Sequence, residues 1–187
     1  MSLIPLTEEQ QEIQKLARDF AREEIVPHAD KWDREANFPV AVARRMGELG
    51  FLGMLLPEEH DGLALDTLSY LLALEEIAAG DASAAVLMSV HNSLPTQMLL
   101  NFGSDAQRAR FLAPMARGEV IGAFALSEPE AGSDASSLRC QATRDGDDWV
   151  LDGTKSWVTS GSFAGVILVM ARTDTPDARR GSKGIST

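Results

Sequence analysis

Apolar residues in the first part of the chain recur every three or four positions, which is the period of an α-helix. The first stripe follows Thr7 and Gln10, whose spacing is that of a capping box, in which each side chain bonds to the other's backbone amide. Val26 and Pro27 are predicted to end this helix, because proline disfavours helical angles in the residue before it. The apolar positions of the stripe are Ile13, Leu16, Ala17, Phe20 and Ile25.

The next two helices are predicted mainly from their ends. Residues 28–35 are polar apart from Trp32 and indicate a short helix. Asn37 is placed to cap the helix after it, with Pro39 in the first turn and Gly50 near the end.

Asp66 is predicted to cap the helix with the most apolar pattern of the chain, and Gly80 is predicted to close it. Asp81 or Ser83 then begins a further helix. Pro95 must break or kink that run, because proline lacks the amide hydrogen that a helix interior requires.

Ser104 and Gln107 form a second capping-box pattern, and the helix that they begin is predicted to end before Pro114. Gly118 is the natural boundary of the region. Since no alternating strand pattern occurs before it, residues 1–118 are predicted to form an all-α domain.

The pattern changes after Gly118, where apolar runs become short and alternate with polar residues. Two of these runs flank an Asp-Gly-Asp turn and predict a β-hairpin, while the polar segment 173–184 is predicted to be a loop. Residues 119–187 are therefore predicted to form a β-domain, which stops in mid-strand. Its predicted strands are 120–126, 138–143, 149–159, 166–171 and one that begins at Ile185.

The chain has a formal net charge of −11, which makes a nucleic acid an improbable partner. Cys140 is the single cysteine, so an intrachain disulfide and a cysteine metal cluster are excluded. No secretory signal, arginine-rich transit segment or apolar run near the roughly 20 residues of a membrane span is visible. The cytoplasm is the expected location.

The most informative stretch is ALSEPEAGSD at 125–134, where an apolar strand leads directly into a polar loop. Gly132 can take backbone angles closed to other residues, and Ser133 and Asp134 can bond locally. Such a loop can present amides and hydroxyls to a polar or anionic ligand. A capped turn that only joins two elements is an equally good interpretation of these residues.

Trp157 and Thr159 are two apart on a predicted strand, so their side chains would share one face. An indole ring beside a hydroxyl suits a planar heterocycle. The residues alone favour the alternative that Trp157 packs on a core. For His91 they favour packing or a helix surface over catalysis, because no acid or nucleophile is paired with it.

The string at 125–134 resembles the signature loop of the acyl-CoA dehydrogenase family, and Gly153-Thr154-Lys155-Ser156-Trp157-Val158-Thr159 resembles a second signature of that family. The resemblance implies an α+β fold, with an N-terminal all-α helical domain followed by an antiparallel β-barrel-like domain. That β-domain would be incomplete here, and the family's C-terminal helical bundle would be missing. We therefore expect the chain to be truncated.

The resemblance also implies that the chain binds FAD. The sequence lacks the G-x-G-x-x-G motif of a Rossmann site between a strand and a helix, so a Rossmann mode of binding is not indicated, and members of the family bind FAD without that motif. Ser133 would lie near both the flavin pyrophosphate and the acyl-CoA substrate. The departures are small: Ser127 replaces a common threonine and keeps its hydroxyl, and Ser160 replaces a common asparagine. The residues implied at the cofactor are Phe124, Ala125, Leu126, Ser127, Ser133, Trp157, Val158 and Thr159.

The implied reaction is α,β-dehydrogenation of an acyl-CoA thioester to the trans-2-enoyl-CoA, and His91-Asn92-Ser93-Leu94 resembles members that act on short or branched chains. The family's catalytic base is a glutamate of the C-terminal domain, so no catalytic residue is assigned and residues 1–187 alone are expected to be inactive. The implied partners are the acyl-CoA substrate, an electron-transfer flavoprotein as acceptor and further copies in a dimer or tetramer. A related flavin monooxygenase or acyl-CoA oxidase, or a non-catalytic fragment, stays an alternative.

Overall fold

The computed structural model describes residues 5–37, 40–173 and 181–187. Within these ranges the chain separates into two units, the first ending at Gly122 and the second beginning at Ala123. The predicted domain boundary at Gly118 stays a prediction.

The first unit is built from helices, and in its described residues no strand precedes Gly122. A five-residue π-helical stretch, Ala21–Ile25, extends the first helix, and a short 3-10 turn lies at Glu58–His60. The helices are α1 Glu8–Phe20, α2 Ala29–Glu35, α3 Val40–Glu48, α4 Thr67–Gly80, α5 Ala82–Ser93, α6 Pro95–Phe102 and α7 Asp105–Ala116.

The predicted caps at α1 and α4 are confirmed. The backbone amide of Gln10 donates to Thr7 Oγ1 at 3.2 Å, and the amide of Thr7 donates to Gln10 Oε1 at 3.1 Å. Asp66 Oδ1 accepts from the amides of Leu68 and Ser69 at 2.8 and 3.0 Å. These bonds satisfy amides that the first turn of a helix leaves without partners.

The remaining helix starts also agree with the sequence. Asp81, rather than Ser83, caps α5, because its Oδ1 accepts from the amide of Ala84 at 2.7 Å. Pro95 begins α6, and the Ser104–Gln107 capping box is present at α7. The predicted cap of α3 involves Pro39, which lies outside the described residues.

The predicted end of α7 was wrong, because the helix continues through Pro114 to Ala116. Proline removes one backbone hydrogen bond, but the bonds around it survive: Arg117 donates to the Ala113 carbonyl at 3.2 Å and Glu119 to the Pro114 carbonyl at 3.0 Å. Proline lacks an amide hydrogen and its ring crowds the carbonyl four residues before it, so it penalises this helix without ending it.

Large apolar side chains fill the interior of the first unit. Phe20 and Phe51 pack with their ring centroids 5.8 Å apart. Arg18 links α1 to α4 through Glu76, with Nη2 and Oε1 2.6 Å apart. The largest fully buried apolar side chains of this unit are Phe51, Ile25, Met46, Leu52, Met54, Leu56, Ile77, Met88, Leu112 and Met115.

The second unit contains two small sheets, one pairing β1 with β4 and the other in the order β3-β2-β5-β6. The predicted hairpin is confirmed: β2 and β3 are antiparallel, and Asp145 faces Asp148 next to Gly146, whose φ is +63°. The strands are β1 Gly122–Ala125, β2 Gln141–Asp145, β3 Asp148–Asp152, β4 Val166–Val169, β5 Ala171–Arg172 and β6 Ile185–Ser186.

One predicted strand ends earlier than expected, and another is divided into two. The strand predicted for 149–159 stops at Asp152, because the next residue, Gly153, has a φ of +150°. Gly153 also lies close to Cys140: a Cβ added to Gly153 would be 2.7 Å from the Cα of Cys140. The run 166–171 divides at Met170, whose amide donates to Ala125 at 3.0 Å. The chain thus passes from one sheet to the other at this residue.

The fold class is confirmed as a helical N-terminal region followed by a partial β-domain. β6 is present at the predicted position, whereas most of the predicted loop 173–184 lies outside the described residues. Among the helices that the structure describes, none is long and apolar enough to cross a membrane.

Candidate functional site

The loop after β1 begins with a tight turn. Glu128 donates its amide to the Ala131 carbonyl at 2.9 Å, and the amide of Ala131 donates back to the Glu128 carbonyl at 3.1 Å. Ala125 is buried in front of this turn, while Phe124, Leu126 and Ser127 are half-buried. These four residues, which are predicted at the cofactor, therefore lie where the strand ends and the loop begins.

The second half of this loop is a capped turn, as one interpretation of the sequence expected. Asp134 accepts from Ser136 Oγ at its Oδ1, 2.6 Å away, and from Ser137 Oγ at its carbonyl, 2.8 Å away. Ser133 is exposed, and a Cβ built on Gly132 would meet nothing within 4 Å. This part of the loop has open space above it.

Glu128 is the residue whose role the sequence did not reveal. Its carboxylate is buried and accepts from the backbone amides of Arg139 at 2.6 Å and Cys140 at 2.8 Å, and from Lys155 Nζ at 2.8 Å. Burial alone would raise the pKa of Glu128. The hydrogen bonds from Lys155 and the two amides outweigh burial and hold the pKa below its ordinary value.

Lys155 connects the two signature segments. Besides Glu128, its Nζ donates to the Leu126 carbonyl at 3.0 Å. The next residue, Ser156, donates its backbone amide to the Ser127 carbonyl at 2.8 Å. Two segments almost 30 residues apart in sequence therefore meet at the end of β1. The only sign of this meeting in the sequence was the opposite charge of Glu128 in one motif and Lys155 in the other.

Trp157 does not lie on a strand, so the predicted shared face with Thr159 was wrong. The backbone leaves the sheet after Asp152, and Trp157 has a φ of +60°. This left-handed conformation is unfavourable for a bulky residue and is typical of functional sites. The indole ring is 94% exposed, so it does not pack on a core as the alternative proposed.

The predicted site residues carry groups that are free to bind a ligand. In the described part of the chain, the hydroxyls of Ser127, Ser133 and Thr159 make no hydrogen bond, although Ser127 and Thr159 are half-buried. Val158 is half-buried and accepts from the Gly161 amide at 3.0 Å. An open aromatic ring with unused hydroxyls fits a planar, polar heterocycle such as a flavin.

His91 has a packing role, as predicted, and it lies in the first unit. The ring is fully buried, with Nδ1 accepting from the Gly122 amide at 3.1 Å and Nε2 lying 3.2 Å from the Met115 carbonyl. Because Nδ1 accepts, the proton must be on Nε2. Burial lowers the pKa of His91 to about 4, so the ring is neutral at pH 7.

Two family models match the chain. The model described as acyl-CoA dehydrogenase, N-terminal domain, matches residues 7–119. The model described as acyl-CoA dehydrogenase, middle domain, matches residues 123–187. Together they cover nearly the whole chain, including both sequence motifs.

Similar proteins agree with these models. The rat mitochondrial short-chain specific acyl-CoA dehydrogenase is 46% identical over 98% of the chain. The butyryl-CoA dehydrogenase of Megasphaera elsdenii is 36% identical over 99% of the chain with a TM-score of 0.89. A Mycobacterium smegmatis glutaryl-CoA dehydrogenase in complex with FADH2 is 37% identical over 90% of the chain with a TM-score of 0.86. The chain spans 44%, 48% and 44% of these proteins, respectively.

Proposed function

Because the chain belongs to the acyl-CoA dehydrogenase family, we propose that the whole protein oxidises an acyl-CoA thioester to the trans-2-enoyl-CoA with FAD as cofactor. By whole protein we mean this chain with whatever its gene encodes on either side. The observation that supports the proposal most strongly is the junction of the two signature segments at Leu126 and Ser127, beside an exposed indole and free hydroxyls.

Trp157 and the hydroxyls would hold the flavin. The indole offers a flat apolar surface to a planar ring, and the hydroxyls of Ser127 and Thr159 can donate to its polar edge. Phe124, Ala125, Leu126 and Val158 would complete the ring site. Ser133, on the open side of the loop, would contact the pyrophosphate and the acyl-CoA. When bound, FAD would supply the acceptor for the hydride that leaves the β-carbon.

We propose a short-chain thioester as substrate, supported by the names of the similar dehydrogenases. The His91–Leu94 motif gives no structural support for a short-chain substrate, because its two buried polar side chains bond within the first unit. His91 is occupied by Met115 and Gly122, and Asn92 Nδ2 donates to the carbonyls of Phe51 and Met88 at 2.8 and 2.9 Å. The motif serves helix packing in the first unit.

We assign no catalytic base within the chain. A base must be free to accept a proton from the substrate. Glu128 is held by Lys155 and two backbone amides, and Glu130 Oε2 lies 2.5 Å from Arg139 Nη1 in an exposed ion pair. This supports the expectation that the base lies outside residues 1–187, and that these residues alone do not oxidise acyl-CoA.

Two further features are proposed from the family resemblance: an electron-transfer flavoprotein as acceptor and a dimer or tetramer of identical chains. The cytoplasmic location that the sequence analysis expected is a third proposal. The rat relative is mitochondrial by name. A location experiment in the source cell is therefore needed to separate the two compartments.

The test is anaerobic reduction of the purified whole protein, saturated with FAD, by butyryl-CoA. A dehydrogenase should lose the visible flavin absorbance on mixing and regain it slowly in air. Fast recovery in air would favour an acyl-CoA oxidase or a monooxygenase. A protein that neither retains FAD nor bleaches would contradict the proposal and favour a non-catalytic role.

A further inference from the structure

Glu128 and Lys155 form an unusually well buried ion pair. Their side chains are only 7% and 11% exposed, and Glu128 Oε1 lies 2.8 Å from Lys155 Nζ. Arg18–Glu76, the next best shielded pair in the described residues, leaves its arginine 39% exposed.

A buried ion pair rarely increases stability over apolar residues of the same size. The loss of hydration of both charges offsets much of their attraction, so such pairs are weak evidence for stability as their role. Their best supported use is to fix one arrangement of the chain. The question is therefore what Glu128 and Lys155 fix.

Three segments of the second unit meet at this pair. Glu128 binds the amides of Arg139 and Cys140, directly before β2. Lys155 binds the carbonyl of Leu126, at the end of β1. Its neighbour Ser156 binds the carbonyl of Ser127, so the backbone of the first motif is held at consecutive residues.

We propose that Glu128 and Lys155 are positioning residues that hold the Leu126–Ser127 backbone and the Trp157–Thr159 segment in the arrangement that receives the flavin. We call this pair with its bonds to Leu126, Arg139 and Cys140 the latch. The inference rests on the proposed function, since it concerns the same cofactor. Neither residue touches the flavin in this proposal; each acts through the backbone that it holds.

The test compares Glu128→Gln and Lys155→Met with the wild type in the whole protein. Each variant removes one charge and keeps the approximate side-chain length. We expect FAD to bind roughly 10–100-fold more weakly, the range found when a residue that orients a metal ligand is removed. The circular dichroism of the bound flavin at saturating FAD should also change, because the ring would sit in an altered environment.

Two further variants separate positioning from general stability. Lys155→Arg keeps the charge and should bind FAD more tightly than Lys155→Met. Glu130→Gln removes the neighbouring exposed ion pair with Arg139, whose side chains are 68% and 70% exposed, and should leave FAD binding unchanged. If a single variant does not fold, the double variant Glu128→Gln/Lys155→Met buries no unpaired charge and takes its place.

The outcomes distinguish the two proposals. A wild-type protein that binds no FAD would overturn the proposed function and the latch with it. A wild type that binds FAD, with folded latch variants that match its affinity and flavin spectrum, would overturn the latch alone. A lower melting temperature without a change at the flavin would show that the pair is only structural, which also overturns the inference.

Discussion

The two units of the chain are stabilised in different ways. The first buries many large apolar side chains between helices. In the described residues of the second, Leu138 is the only large apolar side chain that is fully buried, and Cys140, Ala142 and Ala171 form a small buried cluster with Val169. In the second unit, the polar contacts of Glu128 and Lys155 hold separate segments together. In the first unit, apolar packing between the helices has that role.

This difference matches the difference in role. A close-packed helical core tolerates apolar substitutions that conserve its volume and offers few free polar groups. A loop held by directional bonds presents its remaining amides and hydroxyls in defined places, which a binding site requires. The residues that we propose at the cofactor all lie in the second unit.

The largest effect should come from breaking the polar contacts of the second unit. Lys155→Met leaves the buried carboxylate of Glu128 without its cation, which typically costs about 3–5 kcal/mol. Hydrogen exchange, resolved by segment, should show loss of protection in residues 123–173 of the second unit and little change in residues 5–37 and 40–122 of the first. The matched control is Arg139→Met, which removes an exposed pair. Equal loss of protection in both units would contradict the comparison.

The corresponding change in the first unit is Ile77→Ala in α4. Ile77 is fully buried, so the cavity should lower the free energy of unfolding by about 2–5 kcal/mol. Leu71→Ala, on the same helix but half exposed, should cost within about 1 kcal/mol. Denaturant unfolding measures both. FAD affinity should stay unchanged in both variants, and a marked loss in Ile77→Ala would show that the units are not independent.

Acid should affect the first unit before the second. The pKa of His91 is about 4 in the folded state against about 6.5 in the unfolded chain, so the unfolded state takes up the proton first. The contribution of neutral His91 to stability is fully present above pH 6.5 and is lost as the pH falls from 6.5 to 4. At 1.36 kcal/mol for each unit of pKa difference, the loss is up to about 3 kcal/mol.

The contribution of Glu128 to stability begins to be lost at a lower pH than the one at which the contribution of His91 begins to be lost. The pKa of Glu128 is held below the ordinary 4.5, so its contribution is present above that value and is lost as the pH falls through the folded pKa. Segment-resolved hydrogen exchange from pH 7 to 3 should show the first unit opening earlier. His91→Gln should lack the change between pH 6.5 and 4; if the change persists there, another group causes it.

The sequence predicted the helical region well because its signals are local. Capping residues such as Thr7 and Asp66 bond within three residues, and a helical stripe reports packing within one element. Pro114 was misjudged because a proline penalises a helix without forbidding it, and the backbone bonds of Arg117 and Glu119 continue the turn beyond it. The site was harder, because Lys155 bonds to Leu126 and Glu128, residues 29 and 27 positions away. Likewise, the alternation of 149–159 gave no warning that Gly153 turns the backbone out of the sheet.

The smallest effect, and the most specific to the cofactor, should follow from Trp157→Ala. The loss of an aromatic contact should weaken FAD binding by roughly 1–2 kcal/mol, somewhat above the range measured for aromatic pairs beyond their buried area. The melting temperature should stay nearly constant, because the ring is 94% exposed and contributes little to packing. Titration of the whole protein with FAD measures the first quantity and thermal unfolding the second.

Two other variants make this result decisive. Trp157→Gly should lose the same affinity but melt at an equal or higher temperature, because glycine tolerates the φ of +60° that strains a larger residue. Trp149→Ala, in the exposed strand β3, removes a second indole from the same unit and should leave FAD binding unchanged. If Trp149→Ala weakens FAD binding as much as Trp157→Ala does, the loss reflects the stability of the second unit, and the left-handed Trp157 has no special part in holding the flavin.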